Sequence, residues 1–461
     1  MLVRPLRSVL QKHVGISRIG WNVNTTRIVR NLHSKAEGGL SNAIPRTSQL
    51  NKLIRDTIKA TGPITFSSYM QLCLSHPEHG YYMDPHNAIF GKEGDFVTSP
   101  EISQIFGELA AIWHLSRWIA AGSPSEIRVI ELGPGRGTLM SDALRTWFQF
   151  PACRSAIKSI HLVETSTHLK KVQLEKISAL WDGDIKSRDL LHWHDSLDDV
   201  PTPTPDTFTM AIAHEFFDAL PVHIIEKCDD GWHDVLVSFN RSAGSSVNEP
   251  PLVLVRSPEA SLSAKLLASS SPRFSSRPIG SRLEVSPTSF KIARRVAELI
   301  NSSESTGGSG LIIDYGGNQS FGSSIRVRTF EVLRSLSQQL FSKAFRDHKI
   351  VDIFDSPGLS DMTANVDFAY LAEAMNDAAT THGPISQKDF LLDMGYHVRL
   401  SKLLSTATDE NRNLRIRQAG RRLIDPTGMG KQYQVLGVTG KGRLESKGVG
   451  EEEVWPFVVR K

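Results

Sequence analysis

The chain has 461 residues, 40% hydrophobic and 22% charged, with three cysteines; this composition fits two or three globular units and excludes collagen, low-complexity disorder and a disulfide scaffold. Cys73, Cys153 and Cys228 form no C-x-x-C pair and no run approaches the roughly 18 apolar residues of a spanning helix, so neither a metal site nor a transmembrane segment is expected. The net charge of +4 is concentrated at the start of the chain.

Arg4, Arg7, Lys12, Arg18, Arg27, Arg30 and Lys35 precede the first acid, Glu37. Residues 1–36, basic, hydroxyl-bearing and without an apolar core, read as a mitochondrial transit peptide. The remainder is mildly acidic and gives no electrostatic case for nucleic acid. Residues 47–75 read as helical, punctuated by Gly62-Pro63. A loop rich in His, Gly and aromatics follows at 76–103, too aromatic for disorder and long enough to be functional. Ser99-Pro100-Glu101 then predicts a helix to about Ala121, with Ser99 as cap, and 47–125 forms an N-terminal helical or lid segment.

From residue 126 strands alternate with helices: IRVIELG at 127–133, an apolar stripe from Leu139 to Phe148, SIHLVETS at 159–166, and a buried strand within 206–221. VHIIEK and WHDVLVSF, separated by CDDG, predict a hairpin. Residues 241–280, rich in Ser and Pro, read as a surface excursion, after which a helix near 287–301 and the strand LIIDYG at 311–316 resume the pattern. The expectation is an α/β domain over 126–440, a mostly parallel doubly wound sheet, with a tail at 441–461.

The sharpest local feature is ELGPGRGT at 131–138, a strand entering a helix through Gly133, Gly135 and Gly137. Glycines there permit positive φ and close approach of the backbone to a ligand at a helix N-terminus. A dinucleotide site has G-x-G-x-x-G and an acid about 20 residues on. This chain has G-x-G-x-G, and its acid, Glu164, comes later. The arrangement resembles the S-adenosylmethionine site of Rossmann-like methyltransferases. In that reading the turn receives a carboxylate, Glu131 attracts an ammonium, Glu164 accepts from ribose hydroxyls and Asp195 reaches the adenine amine.

After the fourth strand, Glu215 and Asp218 flank Phe216 and Phe217. Paired carboxylates can grip a guanidinium and aim one nitrogen at an electrophilic methyl, while an aromatic ring stacks on the planar cation. Phe217 reads equally well as a core anchor.

Several segments together resemble the MidA-type methyltransferases: GPITFSSYMQLCLSHPEHGYY at 62–82, GDFVTSPEISQIFGE at 94–108, ELGPGRGTLM at 131–140, EFFDALPVH at 215–223, LIIDYG at 311–316, FRDHKIVD at 345–352, TANVDFAYL at 363–371 and GPISQKDFLLDMG at 383–395. Mitochondrial members of that family are protein arginine methyltransferases that assist assembly of respiratory complex I. The resemblance implies a Rossmann-like fold, S-adenosylmethionine as methyl donor and an arginine of a complex I core subunit as acceptor. It further implies symmetric dimethylarginine as product and a mitochondrial matrix location; a homodimer is left open. The residues themselves make Glu215 and Asp218 the candidate catalytic pair and Glu131, Gly133, Gly135, Gly137, Glu164 and Asp195 the candidate cofactor ligands. Within the upstream segment Asp95 is a further candidate, with Tyr81, Tyr82 and Phe96 able to close over the site. The chain departs from the family at His214, where Asn is usual, and at 322–343, which replaces an Asp-Thr-x-Arg segment. The competing readings are a non-catalytic assembly factor that keeps the fold and, more distantly, a nicotinamide-dependent oxidoreductase.

Overall fold

The computed structural model describes residues 46–83, 98–181, 189–240, 251–301, 306–329, 353–354, 357–441 and 454–458. The leader at 1–36, Asp95, Phe96 and most of 322–343 lie outside them.

Val-, Ile- and Leu-rich runs become the buried strands of a central sheet: β1 Glu126–Leu132, β2 Ile157–Val163, β3 Leu191–His194, β4 Thr207–His214 and β5 Gly308–Gly317. Every residue of β4 is buried, as expected of a parallel strand covered on both faces. Two late strands, β6 Ala379–Ser386 and β7 Tyr433–Gly440, complete the order β3-β2-β1-β4-β5-β7-β6. The pairs from β3 through β5 are parallel, and β7 runs antiparallel to both β5 and β6. The sheet is therefore doubly wound and mostly parallel, with its switch point at β1 and β4, where open α/β sheets bind ligands beyond the carboxyl ends of the strands.

Six helices matter to the site: α1 Gln104–Ala120, α2 Thr138–Trp147, α3 Thr167–Ser178, α4 Pro287–Ile300, α5 Tyr396–Ser405 and α6 Glu410–Leu423. Strand alternation divides the core between the two faces. Val129, Ile160, Leu162 and Met210 pack with Ala111, Leu115, Met140, Leu144 and Trp147 of α1 and α2. Ile130, Ala211, Ala213 and Ile312 pack with Ala293, Val296, Ala297 and Ile300 of α4.

The helix expected from Ser99 to Ala121 is interrupted. A short helix, Ser99–Ile102, ends at Ser103, whose extended backbone and side chain cap α1 by accepting from the Ile105 N–H. Ser99 is a helical residue, not the cap: its Oγ donates to Gln387 Oε1 at 3.0 Å, and Thr98 holds the cap position. The hairpin forms as expected, His223–Cys228 against Gly231–Phe239, in a second, antiparallel sheet. Residues 251–280 of the supposed excursion carry regular elements beside that sheet. Leu252–Arg256 pairs with Gly231–Phe239, and Leu262–Ser269 precedes a short helix that buries Phe274. In the unusual region near 322, Arg326–Thr329 pairs antiparallel with Ser360–Thr363. Within the tail, Val454 is buried and the Trp455 carbonyl accepts from the Trp113 indole. Among the described residues no helix is long and apolar enough to cross a membrane.

Candidate active site

The carboxyl ends of β1 to β5 open into a cavity of about 430 Å³. Gly133, Gly135, Glu164 and Asp195 line one part of it, and Glu215, Phe216 and Asp218 another. Sequence positions far apart thus meet at the switch point. Glu131 and Gly137 sit behind the lining rather than in it.

At the turn, Gly133, Gly135 and Gly137 have φ of 62°, 51° and 73°, a region that a side chain rarely adopts. A Cβ on Gly133 would stand 2.9 Å from Phe216 Cδ2, so the glycine keeps the space between turn and aromatic loop open. The Gly133 N–H donates to the Val163 carbonyl at 3.1 Å and the Gly137 N–H to the Pro134 carbonyl at 2.7 Å. Those two amides hold the turn's shape instead of facing a ligand. The first residue of α2, Thr138, donates its hydroxyl to Glu101, which ties the upstream helix to the turn.

Glu131 is 3% exposed, and burial pushes its carboxyl up to about 8. Its Oε2 has no hydrogen-bond partner among the described residues. A buried carboxyl oxygen left unmatched behind a glycine turn suits the ammonium end of a methionine moiety: burial keeps the group protonated until a cation arrives to favour its charged form. Glu164 accepts from the Ser166 N–H at 2.8 Å and from Gln173 Nε2 at 3.3 Å; burial raises its pKa and these donors oppose the rise. These side chains fit the cofactor.

Gln173 escaped the sequence reading. Fully buried on α3, it also donates to the Gly135 carbonyl at 2.7 Å and accepts from the Trp193 indole at 2.8 Å. It therefore locks the turn to Glu164. Its signal was available: the buried residues of α3 are Leu169, Gln173 and Ile177, so an amide occupies an apolar stripe. Asp195 lines the cavity, but its side chain is 72% exposed and Oδ1 receives Lys170 Nζ at 2.6 Å.

Glu215 adopts a left-handed φ of 48°, uncommon for a non-glycine residue and a mark of strain at a functional turn. The cause lies in β5. Oδ2 of Asp314, a fully buried residue, accepts from the N–H groups of Phe216 at 3.2 Å, Phe217 at 2.9 Å and Asp218 at 3.2 Å. Its Oδ1 accepts from the Tyr315 N–H at 2.9 Å. Burial and the neighbouring Glu215 raise the Asp314 pKa, while the backbone donors pull it down. The Tyr433 hydroxyl, from β7, donates to Glu215 Oε1. Phe217 is 3% exposed within the main core, and Tyr81 is likewise a core residue. Phe216 and Tyr82 face the cavity. Tyr82 donates to Asp361 Oδ1 at 2.6 Å, a further cavity acid that the sequence reading passed over.

His214, in the place of the usual Asn, is a neutral packing ring. Burial lowers its pKa to about 3, and it lies parallel to Tyr433 with centroids 5.9 Å apart. Away from the cavity, Cys228, Asp230 and His233 bring ligand atoms within 4.8 Å of one another. They form a hydrogen-bonded cluster: His233 contacts Asp230 Oδ1 and the Ser257 carbonyl at 2.8 Å each, and Arg256 reaches the Cys228 sulfur at 3.2 Å.

A sequence profile described as "Putative S-adenosyl-L-methionine-dependent methyltransferase" matches residues 109–385, a span that holds the glycine turn, Glu164, the 215–218 loop and Asp314. The chain belongs to this family. Family membership makes S-adenosylmethionine its cofactor. "Protein arginine methyltransferase NDUFAF7, mitochondrial" of Xenopus tropicalis is 36% identical over 412 residues, covering 86% of this chain and 87% of that protein. The Drosophila melanogaster homolog of that protein is 37% identical, covering 87% and 86%, and the Homo sapiens protein 34%, covering 87% and 85%. Among solved structures, a "likely methyl transferase from Burkholderia thailandensis bound to S-adenosyl-homocysteine" is 25% identical, with TM-score 0.65 and coverage of 87% of this chain and 95% of that one.

Proposed function

We propose that the protein methylates arginine in a protein substrate, with an arginine of a respiratory complex I core subunit as the acceptor, symmetric dimethylarginine as the product and the mitochondrial matrix as the location. The observation that carries this reading is the 215–218 loop. Two carboxylates and an aromatic ring, clamped by Asp314 and Tyr433, share one cavity with the glycine turn. The names of the relatives support the arginine acceptor and the organelle; the complex I subunit and the symmetric product rest on the family resemblance.

S-adenosylmethionine, when bound, supplies an electrophilic methyl group. Gly133 and Gly135 give it room, Glu131 meets its ammonium and Glu164 its ribose hydroxyls. Asp195 takes a peripheral part at the rim. Glu215 and Asp218 grip the guanidinium, whose charge is otherwise spread over three nitrogens, and hold one nitrogen in line with the methyl. The nitrogen that would receive the methyl gives up its proton to a gripping carboxylate, Glu215 or Asp218. Tyr433 fixes the Glu215 carboxylate, and Phe216 shields the planar cation from water.

The test uses the full chain with labelled S-adenosylmethionine and a mitochondrial protein extract, followed by mass spectrometric location of the methyl. Glu215→Gln and Asp218→Asn should keep cofactor affinity and lose transfer on the order of 100-fold, the scale of a lost positioning contact. Unchanged transfer in both variants, or label on a residue other than arginine, overturns the reading.

A further inference from the structure

The helical hairpin of α5 and α6 carries charge that the acidic cavity does not use. Helix α6 has Arg412, Arg415, Arg417, Arg421 and Arg422 in 14 residues, against the single acid Glu410, and Lys402 adds to the charge from α5. Lys402, Arg412, Arg415 and Arg421 are exposed, and of the four Arg415 has an acid within electrostatic reach, Asp409 at the start of α6. Like charges crowded along one helix repel and weaken it. A surface that accepts that cost is matched to an external anion.

The hairpin also shows which anion it suits. The inner side of α6 is spent on the protein body: Gly420 and Leu423 are buried, and the Leu423 carbonyl accepts from Gln387 at 2.8 Å. Ile416 and Ala419 are half-buried, which leaves Leu414, 53% exposed, and Val398 of α5, 76% exposed, as separate apolar points. A helix that lies in a lipid interface needs a continuous apolar face for the acyl boundary. Here that face is already used, so insertion has nothing to drive it. Arginine studded with isolated aliphatic side chains is instead the composition of a protein interface.

The position is informative as well. Arg422, in the last turn of α6, lies within electrostatic reach of Glu215, Tyr315 and Tyr433, while burial lowers its pKa. The basic face therefore starts beside the wall of the acidic loop. We propose that the exposed surface of the α5–α6 hairpin, which carries Lys402, Arg412, Arg415 and Arg421, docks an acidic segment of the protein substrate while that substrate's arginine enters the cavity. This rests on the protein-arginine reading and adds a second recognition element to it. The cavity selects a cation and the hairpin selects the acidic surroundings of that cation, which raises specificity through paired, opposite fields.

The experiment compares the wild-type chain with Lys402→Glu/Arg412→Glu/Arg415→Glu/Arg421→Glu. Two synthetic peptides serve as acceptors, one arginine linked to eight glutamates and the same peptide with eight glutamines. The expected result is a KM for the glutamate peptide roughly tenfold or more below that of the glutamine peptide in the wild type, erased in the variant and by 0.5 M salt at about a 4 Å Debye length, with kcat and S-adenosylmethionine affinity unchanged. Direct binding of fluorescent deca-glutamate should follow the same order. Equal KM values for the two peptides in the wild type, or a preference that survives in the variant, overturn the docking face. So does binding confined to phosphatidylcholine vesicles containing cardiolipin. Absence of transfer to either peptide, with deca-glutamate binding intact and lost in the variant, instead overturns the arginine reading and leaves an acidic-protein docking face. A milder variant, Arg412→Gln/Arg415→Gln, should give an intermediate KM and guards against a folding defect.

Discussion

Replacing Asp314 tests how the acidic loop is held. Its carboxylate accepts four backbone N–H groups, three of them consecutive in the turn that carries Glu215 and Asp218. A buried donor stripped of its acceptor costs about 1–3 kcal/mol. Four of them set a ceiling of roughly 4–12 kcal/mol, which the loop lowers by relaxing into the cavity and by losing the repulsion between Asp314 and Glu215. Asp314→Ala should therefore cost several kcal/mol, a large share of the roughly 5–15 kcal/mol that keeps a domain folded. Asp314→Asn is the more informative variant. Its amide oxygen can keep the three loop donors, but its NH2 then faces the Tyr315 N–H, so one bond is exchanged for a donor–donor contact at about 1–3 kcal/mol. Urea unfolding followed by tryptophan fluorescence gives the stabilities, and cofactor titration with transfer assays gives the function. The expected order of stability is wild type, Asn, Ala, with methyl transfer falling faster than cofactor affinity because the turn and Glu164 stand on other strands. An alanine variant within about 1 kcal/mol of wild type and fully active would refute the argument.

At the turn, Gly135→Val should abolish S-adenosylmethionine binding in calorimetry while the far-ultraviolet circular dichroism stays native, since φ of 51° disfavours a β-branched side chain and Gly135 lines the cavity that the side chain would fill. For Glu131 the folded pKa of about 8 stands above the ordinary carboxyl value of 4.5. The folded state then holds an extra proton between those values, and stability falls as pH rises through that window. A bound ammonium favours the carboxylate, so at pH 7 cofactor binding should release up to about one proton, read as a dependence of the binding heat on buffer ionisation enthalpy. Glu131→Gln should remove the dependence, and an unchanged dependence in that variant would show that the proton comes from elsewhere.

What the sequence displays and what it hides divide along a physical line. Buried parallel strands announce themselves because both faces must be apolar, so β1, β2, β4 and β5 are visible as runs, and the glycine turn is visible because only glycine tolerates its dihedrals. Glu164 and Glu215 are legible by position, immediately after such runs. Hidden are the residues that act by holding backbone. Asp314 reads as part of an ordinary strand, and its importance comes from three amides almost 100 positions upstream. Tyr433, which fixes Glu215, stands on β7, a strand that no local pattern links to the loop. Ser103 was hidden for another reason: one serine inside a helical pattern leaves periodicity on both sides intact, yet it breaks the helix by capping the next one. The contact of Lys170 with Asp195 likewise depends on the pitch of α3.

The same line explains why the site is stable at all. Glu131, Glu215 and Asp314 stand at the ends of β1, β4 and β5, three neighbouring strands; Glu131 and Asp314 are buried and Glu215 is half-buried. Burial raises the Glu131 pKa, and burial together with the nearby Glu215 raises that of Asp314. Asp314 is compensated by fixed backbone donors and Glu215 by a phenol. For Glu131 Oε2 the described residues supply no donor. Both ligands of the proposed reaction are cations, and both enter this field. The ligand-free protein thus bears an electrostatic cost that its ligands remove, so part of the binding energy of ammonium and guanidinium is set in advance by the fold. A neutral isostere of the acceptor, citrulline in place of arginine, gains none of it, and its binding should be weaker by more than the loss of hydrogen bonds alone would give.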